Sequence, residues 1–265
     1  LYRSRSNNCE DIKSGFETEN FKIYFDNKRE EKVMKKKGIT LALLLSCTTA
    51  AAAPALPSTN SDLRALEQNK AQTPQQAELT SVQTEGNKLS RYIGTTDEPL
   101  CQEGTEFLHK MDYPKVQAVY VSPLKRCVQT AEILFPGEPV HIIEELAECD
   151  FGEFENKNYK ELEGNPHYQE WIDSNGTLPF PGGESREGFK SRNLRGFDRV
   201  VSGCIRSHVA EAALVIHGGT IMNIMEEYAD IQKPFYEWHV RNGGGYEVEL
   251  DENLWKNGRK QLRVN

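Results

Sequence analysis

His217 ends the apolar run Ala212-Ala213-Leu214-Val215-Ile216 and is followed at once by Gly218, Gly219 and Thr220. The run reads as a central parallel strand, covered on both faces. The two glycines let the backbone turn sharply and come close to a ligand. A helix over residues 221–228 then points its N-terminal N–H groups at the turn, so an anion is favoured beside the imidazole. Taken alone, the same histidine fits a satisfied strand-end residue. The cysteines are Cys9, Cys47, Cys101, Cys127, Cys149 and Cys204, with no CxxC pair, which argues against a zinc site.

Other elements must carry that turn. Residues 117–121 read as a strand, and Ser122-Pro123 as the cap of a helix over 124–134. That helix turns Leu124, Val128, Ala131 and Ile133 or Leu134 towards a core. A second strand is expected at 140–143, with helical segments at 159–162, 167–173 and 184–201. Residues 245–250 and 261–264 read as a closing hairpin. Strands alternating with helices predict an α/β domain with a largely parallel sheet.

The chain has 265 residues, 37% hydrophobic and 27% charged, enough for one ordinary globular domain with length to spare. A net charge of -8, without a basic cluster in the second half, argues against a nucleic-acid binder. Residues 1–33 are polar and aperiodic, and read as a translated leader or disordered segment. Met34-Lys35-Lys36-Lys37-Gly38, the apolar run 39–45 and the small residues 48–53 are ordered like a signal peptide over 34–53. The apolar run is too short to span a bilayer stably. Leu44-Leu45-Ser46-Cys47 also passes as a weak lipoprotein box. Residues 54–82, rich in Gln, Ala, Thr and Ser and punctuated by Pro54, Pro57 and Pro74, read as a linker with at most a short helix at 62–70. The ordered domain is expected over 83–265, with residues 1–75 loosely packed.

Within 83–265 several blocks stand in a telling order. Gln83-Thr84-Glu85-Gly86-Asn87 comes first, then Gly94-Thr95-Thr96-Asp97-Glu98-Pro99-Leu100. Next are Ser122-Pro123-Leu124-Lys125-Arg126-Cys127-Val128-Gln129-Thr130-Ala131 and Leu146-Ala147-Glu148-Cys149-Asp150-Phe151-Gly152. Pro181-Gly182-Gly183-Glu184-Ser185 and His217-Gly218-Gly219-Thr220 close the series. Together they resemble the histidine phosphatase superfamily. The resemblance implies the phosphoglycerate mutase-like three-layer sandwich with a mostly parallel sheet. It also implies phosphoryl chemistry through a phosphohistidine, without a metal or other cofactor. One histidine attacks phosphorus. Two arginines and a second histidine hold the phosphoryl oxygens. A carboxylic acid protonates the leaving oxygen and later activates water.

By that resemblance Arg126 matches the second phosphate-binding arginine, in the first turns of a helix that leaves a strand's C-terminal end. Glu148 matches the acid/base, with Glu144, Glu145 and Asp150 as nearby alternatives. His217 matches the second histidine, with Gly218 beside it in the phosphate-binding turn. Thr84 and Asn87 match phosphate contacts at the end of the first motif. Arg91 stands where it could reach substrate, with a surface role as the equal alternative.

The first motif departs from the family. Counting back from Asn87 and Thr84, its arginine, histidine and glycine fall on Thr80, Ser81 and Val82, and no histidine occurs between Leu1 and Lys88. Where an apolar strand is expected, the chain has Gln75-Gln76-Ala77-Glu78-Leu79. The sheet is therefore expected to lack its first strand, or to replace it with weak β-formers near 79–82. The sharp boundary at Gln83 suggests that two unrelated segments have been joined. The function implied is hydrolysis or transfer of the phosphoryl group of a small phosphorylated metabolite, impaired by the missing nucleophile. The alternative is a silent anion-binding module. A cytoplasmic location follows from the resemblance and from reduced cysteines; secretion or a lipid anchor follows if 34–53 acts as a signal. No pattern in the chain sets an oligomeric state.

Overall fold

The computed structural model describes residues 38–45, 83–113, 115–174 and 176–265. Along the chain these form β1 (Gly38–Leu45), α1 (Glu85–Lys88), α2 (Gln102–Leu108), β2 (Ala118–Val121), α3 (Lys125–Leu134), β3 (Val140–Ile142) and α4 (Pro166–Asp173). There follow α5 (Arg186–Ser207), β4 (Glu211–Ile216), α6 (Gly218–Tyr228), β5 (Gly245–Asp251), α7 (Glu252–Lys256) and β6 (Arg263–Val264). The strands make one sheet in the order β3-β2-β4-β1-β5-β6. β3, β2, β4 and β1 run parallel, and β5 and β6 add antiparallel. This is the expected α/β architecture.

The sheet's inner strand is where expectation and structure part. β1 lies between β4 and β5, in register from Thr40 opposite Glu211 to Leu45 opposite Ile216. The replacement strand thus comes from the run read as the apolar heart of a signal peptide, outside the expected boundary of 83–265. The expected substitutes, residues 79–82, lie outside the described residues, as do the leader, the linker and its short helix. Physically, an inner parallel strand needs an apolar run on both faces, and Ile39-Thr40-Leu41-Ala42-Leu43-Leu44 supplies one. Ile39, Leu41 and Leu43 face Phe197 and Val201 of α5 and Ile221 and Met225 of α6. Ala42 and Leu44 face Cys127 and Ala131 of α3. Gly245 of β5 completes the fit: a Cβ there would stand 2.1 Å from the Leu43 carbonyl oxygen.

Local corrections have local causes. Residues 159–162 form turns, not a helix, because the Asn158 side chain accepts from the N–H groups of Lys160 and Glu161, both at 3.0 Å. Ser122 does not cap the following helix. That helix starts at Lys125, whose N–H donates to Asp97 Oδ1 at 2.7 Å. The segment expected as one closing hairpin is β5 and β6 with α7 between them. No helix among the described residues is long and apolar enough to cross a membrane.

Candidate functional site

The parallel strands deliver their C-terminal ends to one edge. His217 follows β4 directly and occupies the cap position of α6, with its ring fully buried. Ser122 follows β2 on the neighbouring strand, its N–H donating to the Val215 carbonyl at 3.2 Å. Its hydroxyl consequently meets His217 Nε2 at 2.6 Å. The Cys127 thiol lies 3.4 Å from the same nitrogen. Ser122 and Cys127 fall inside the block that carried the resemblance, but sequence spacing gave neither a role here. The contact arises from pairing between β2 and β4, which no local pattern encodes.

Arg126 is also fully buried, on the first turn of α3. Its guanidinium donates to the carbonyls of Thr96 and Gly94, both at 2.9 Å, and of Ile93 at 3.3 Å. The 93–96 loop is therefore wrapped around the cation. Glu148 is buried as well, and Oε1 accepts from the Cys149 N–H at 2.9 Å. Burial pushes its carboxyl up to about 6, against the pull of the Cys149 and Gly219 N–H groups and the Arg126 charge. Oε2 has no hydrogen-bond partner, nor does the buried hydroxyl of Thr220 on the first turn of α6. An acid poised near 6, within reach of a guanidinium and packed against the N-terminal turn of α6, is equipped to exchange protons with an oxyanion.

Of the other expected residues, Gly218 begins α6 and is buried. Thr84 and Asn87 form a reciprocal capping box on α1. The Thr84 hydroxyl also contacts the Glu98 carboxylate, which accepts from the Gly86 N–H at 3.2 Å. Arg91 is turned to Glu161 at 2.8 Å and Asn156 at 3.1 Å, a partly exposed surface bridge. Glu144 is exposed, and Glu145 pairs with Arg199, so of the alternatives Glu148 is the buried one. Glu85, Cys101 and Glu103 also cluster, but Lys88 Nζ already joins the two carboxylates at 2.9 and 2.7 Å. A groove of about 790 Å³ bounded by Tyr120, Ile142, Arg199 and Arg206 lies between β3 and α5 and holds none of the expected residues.

The sequence model of the histidine phosphatase superfamily, branch 1, matches residues 82–261. The chain belongs to the histidine phosphatase superfamily. Solved structures agree on the fold. The α-ribazole phosphatase of Shigella flexneri has a TM-score of 0.59 and 20% identity, over 86% of this chain and 95% of that one. A phosphoserine phosphatase mutant of Entamoeba histolytica gives 0.54 and 20%, over 79% and 90%. A phosphoglycerate mutase of Bacillus anthracis gives 0.53 and 16%, over 86% and 92%. At these identities the likeness is one of fold. No curated protein matches the chain by sequence. His109, His141, His167, His208 and His239 are exposed, and His217 is the buried one. Thr80, Ser81 and Val82, onto which counting in the sequence places the first motif, lie outside the described residues.

Proposed function

We propose that this domain binds the phosphate of a small phosphorylated metabolite at His217, Arg126 and the N-terminus of α6, and turns it over negligibly. The carrying observation is Glu148, buried within reach of the Arg126 charge and packed against Gly219 in the turn that follows His217, in a chain whose first histidine is His109. His217, with Nε2 held by Ser122, stabilises phosphoryl oxygens, as Arg126 does by charge. Gly218 opens α6, whose N-terminal N–H groups favour the same anion. Thr84 and Asn87 shape the neighbouring loop. Arg91, occupied by Glu161, serves the surface and not the phosphate.

The acid/base role falls to Glu148, whose carboxyl, pushed to about 6, suits protonation of a leaving oxygen. That observation favours a second reading, an active phosphomonoesterase. The attacking nitrogen is what separates the two. Ser81, at the family's nucleophile position, needs an adjacent base, and its phosphate ester turns over poorly. Loss of a nucleophile costs roughly 10⁶ in rate, about 8 kcal/mol of barrier. Substrates of the kind named for the similar structures, small phosphate monoesters, fit either reading. The buried reduced thiols of Cys101, Cys127, Cys149 and Cys204 support work in a reducing compartment.

Thr80→Arg, Ser81→His and Val82→Gly, made together in the full chain, test the reading. Restored hydrolysis of a phosphate monoester supports it. Hydrolysis already present at family-level rates in the unmodified chain rejects it in favour of the second reading.

A further inference from the structure

Glu148 lies in a segment without regular structure, between the 3-10 turn Glu144–Leu146 and the 3-10 turn Gly152–Phe154. A buried carboxyl on such a segment needs something to fix the backbone beneath it. One side chain on α5 reaches that backbone three times. Arg192 Nη1 donates to the carbonyls of Glu145 at 3.0 Å and Ala147 at 2.9 Å, and Nη2 to the carbonyl of Glu148 itself at 3.1 Å. The other edge of the guanidinium is gripped by Glu184, Nε to Oε1 at 2.9 Å and Nη2 to Oε2 at 2.7 Å. Glu184 Oε2 also accepts from the Asp150 N–H at 3.1 Å. The segment is therefore held on both sides of Glu148 by one ion pair. Burial, the largest single influence, would raise the Glu184 carboxyl, but the Arg192 hydrogen bonds and charge together with the Asp150 N–H hold the group below its ordinary value.

We propose that Arg192, anchored by Glu184, is the positioning residue of Glu148, fixing the 145–150 backbone so that the carboxyl stays buried against Gly219. This rests on the reading of Glu148 as the site's acid. A planar fork that meets three carbonyls and a carboxylate at once is a task for arginine that a lysine ammonium does not reproduce. The charged and titratable groups facing Glu148 are Arg126 from α3, Arg192 from α5 and the neighbouring Cys149. Arg192→Lys keeps the charge and removes the fork, so it separates position from electrostatics. Glu184→Gln keeps the guanidinium and weakens its anchor, and is the milder variant.

The test is a carboxyl-carbon NMR titration of the full chain labelled in glutamate, with the Glu148 signal assigned by its loss in Glu148→Gln. Inorganic phosphate binding is measured beside it. Arg192→Lys is expected to lower the Glu148 midpoint by roughly one pH unit as the carboxyl reaches water. Glu184→Gln is expected to shift it the same way by less, both with weaker phosphate binding. An unchanged midpoint in both folded variants overturns the proposal. If Arg192→Lys does not fold, Glu184→Gln decides: a lowered midpoint supports the proposal, an unmoved one overturns it. Failure of the parent chain to bind phosphate counts against the proposed function alone, because the titration is read without ligand.

Discussion

Glu148 Oε1 stands 2.7 Å from the point a Cβ on Gly219 would occupy, and Phe189 closes the same point at 2.9 Å. The start of α6 and the acid's segment are thus in contact with no room for a methyl group. Gly219→Ala should displace Glu148 or Phe189 and cost about 1–3 kcal/mol, as overpacking does. Urea unfolding measures the cost, and phosphate affinity should fall with it. Unchanged stability and affinity would mean that this contact is loose in solution.

Burial of Glu148 makes the domain's stability depend on pH. Its folded-state value of about 6 lies above the ordinary 4.5, so the folded protein binds more protons than the unfolded chain between those values. Stability from this group is therefore full below about 4.5 and is lost as pH rises through about 6. The loss is about 2 kcal/mol. Glu148→Gln should flatten that dependence and be the more stable protein at pH 7. Unfolding of both proteins at pH 4.5, 5.5 and 7 checks the slope difference.

Ser122 fixes the ring of His217 through one hydrogen bond of 2.6 Å in a buried setting. Ser122→Ala leaves that nitrogen without its oxygen partner and should cost about 1–3 kcal/mol. Phosphate binding should weaken by roughly tenfold, since about 1.4 kcal/mol is a factor of ten. Calorimetry on the variant and a thermal melt separate the two effects.

The apolar run of β1 should be indispensable to the fold. Leu41 and Leu43 are fully buried. Leu41→Ala should cost about 2–5 kcal/mol, and removal of residues 34–53 should leave 83–265 without a cooperative thermal transition. A sharp, unshifted melt after that removal would show that the strand's place in the sheet is dispensable.

The sequence showed the site unevenly. The turn at His217 was legible because a strand ending in His-Gly-Gly leaves a local mark. Arg126 and Glu148 were visible through the blocks around them, and the buried setting that shifts Glu148 was not. Strand β1 is not legible in the sequence because a short apolar run has no periodicity to distinguish an inner strand from the core of a signal peptide. The role of Ser122 is not legible because a serine before a helix looks the same whether its hydroxyl serves the helix or a neighbouring strand's histidine. Arg192 left no trace, since the acid's segment that it holds is reached through backbone carbonyls more than forty residues away in sequence.

The most direct measurement of the central claim is calorimetric injection of p-nitrophenyl phosphate into the full chain, with nitrophenolate followed by absorbance in the same samples. The expected result is a saturating binding isotherm that is lost in His217→Ala, with no release above the uncatalysed background. Sustained release by the unmodified chain with an acid-labile phosphohistidine, or the absence of any binding, would contradict it.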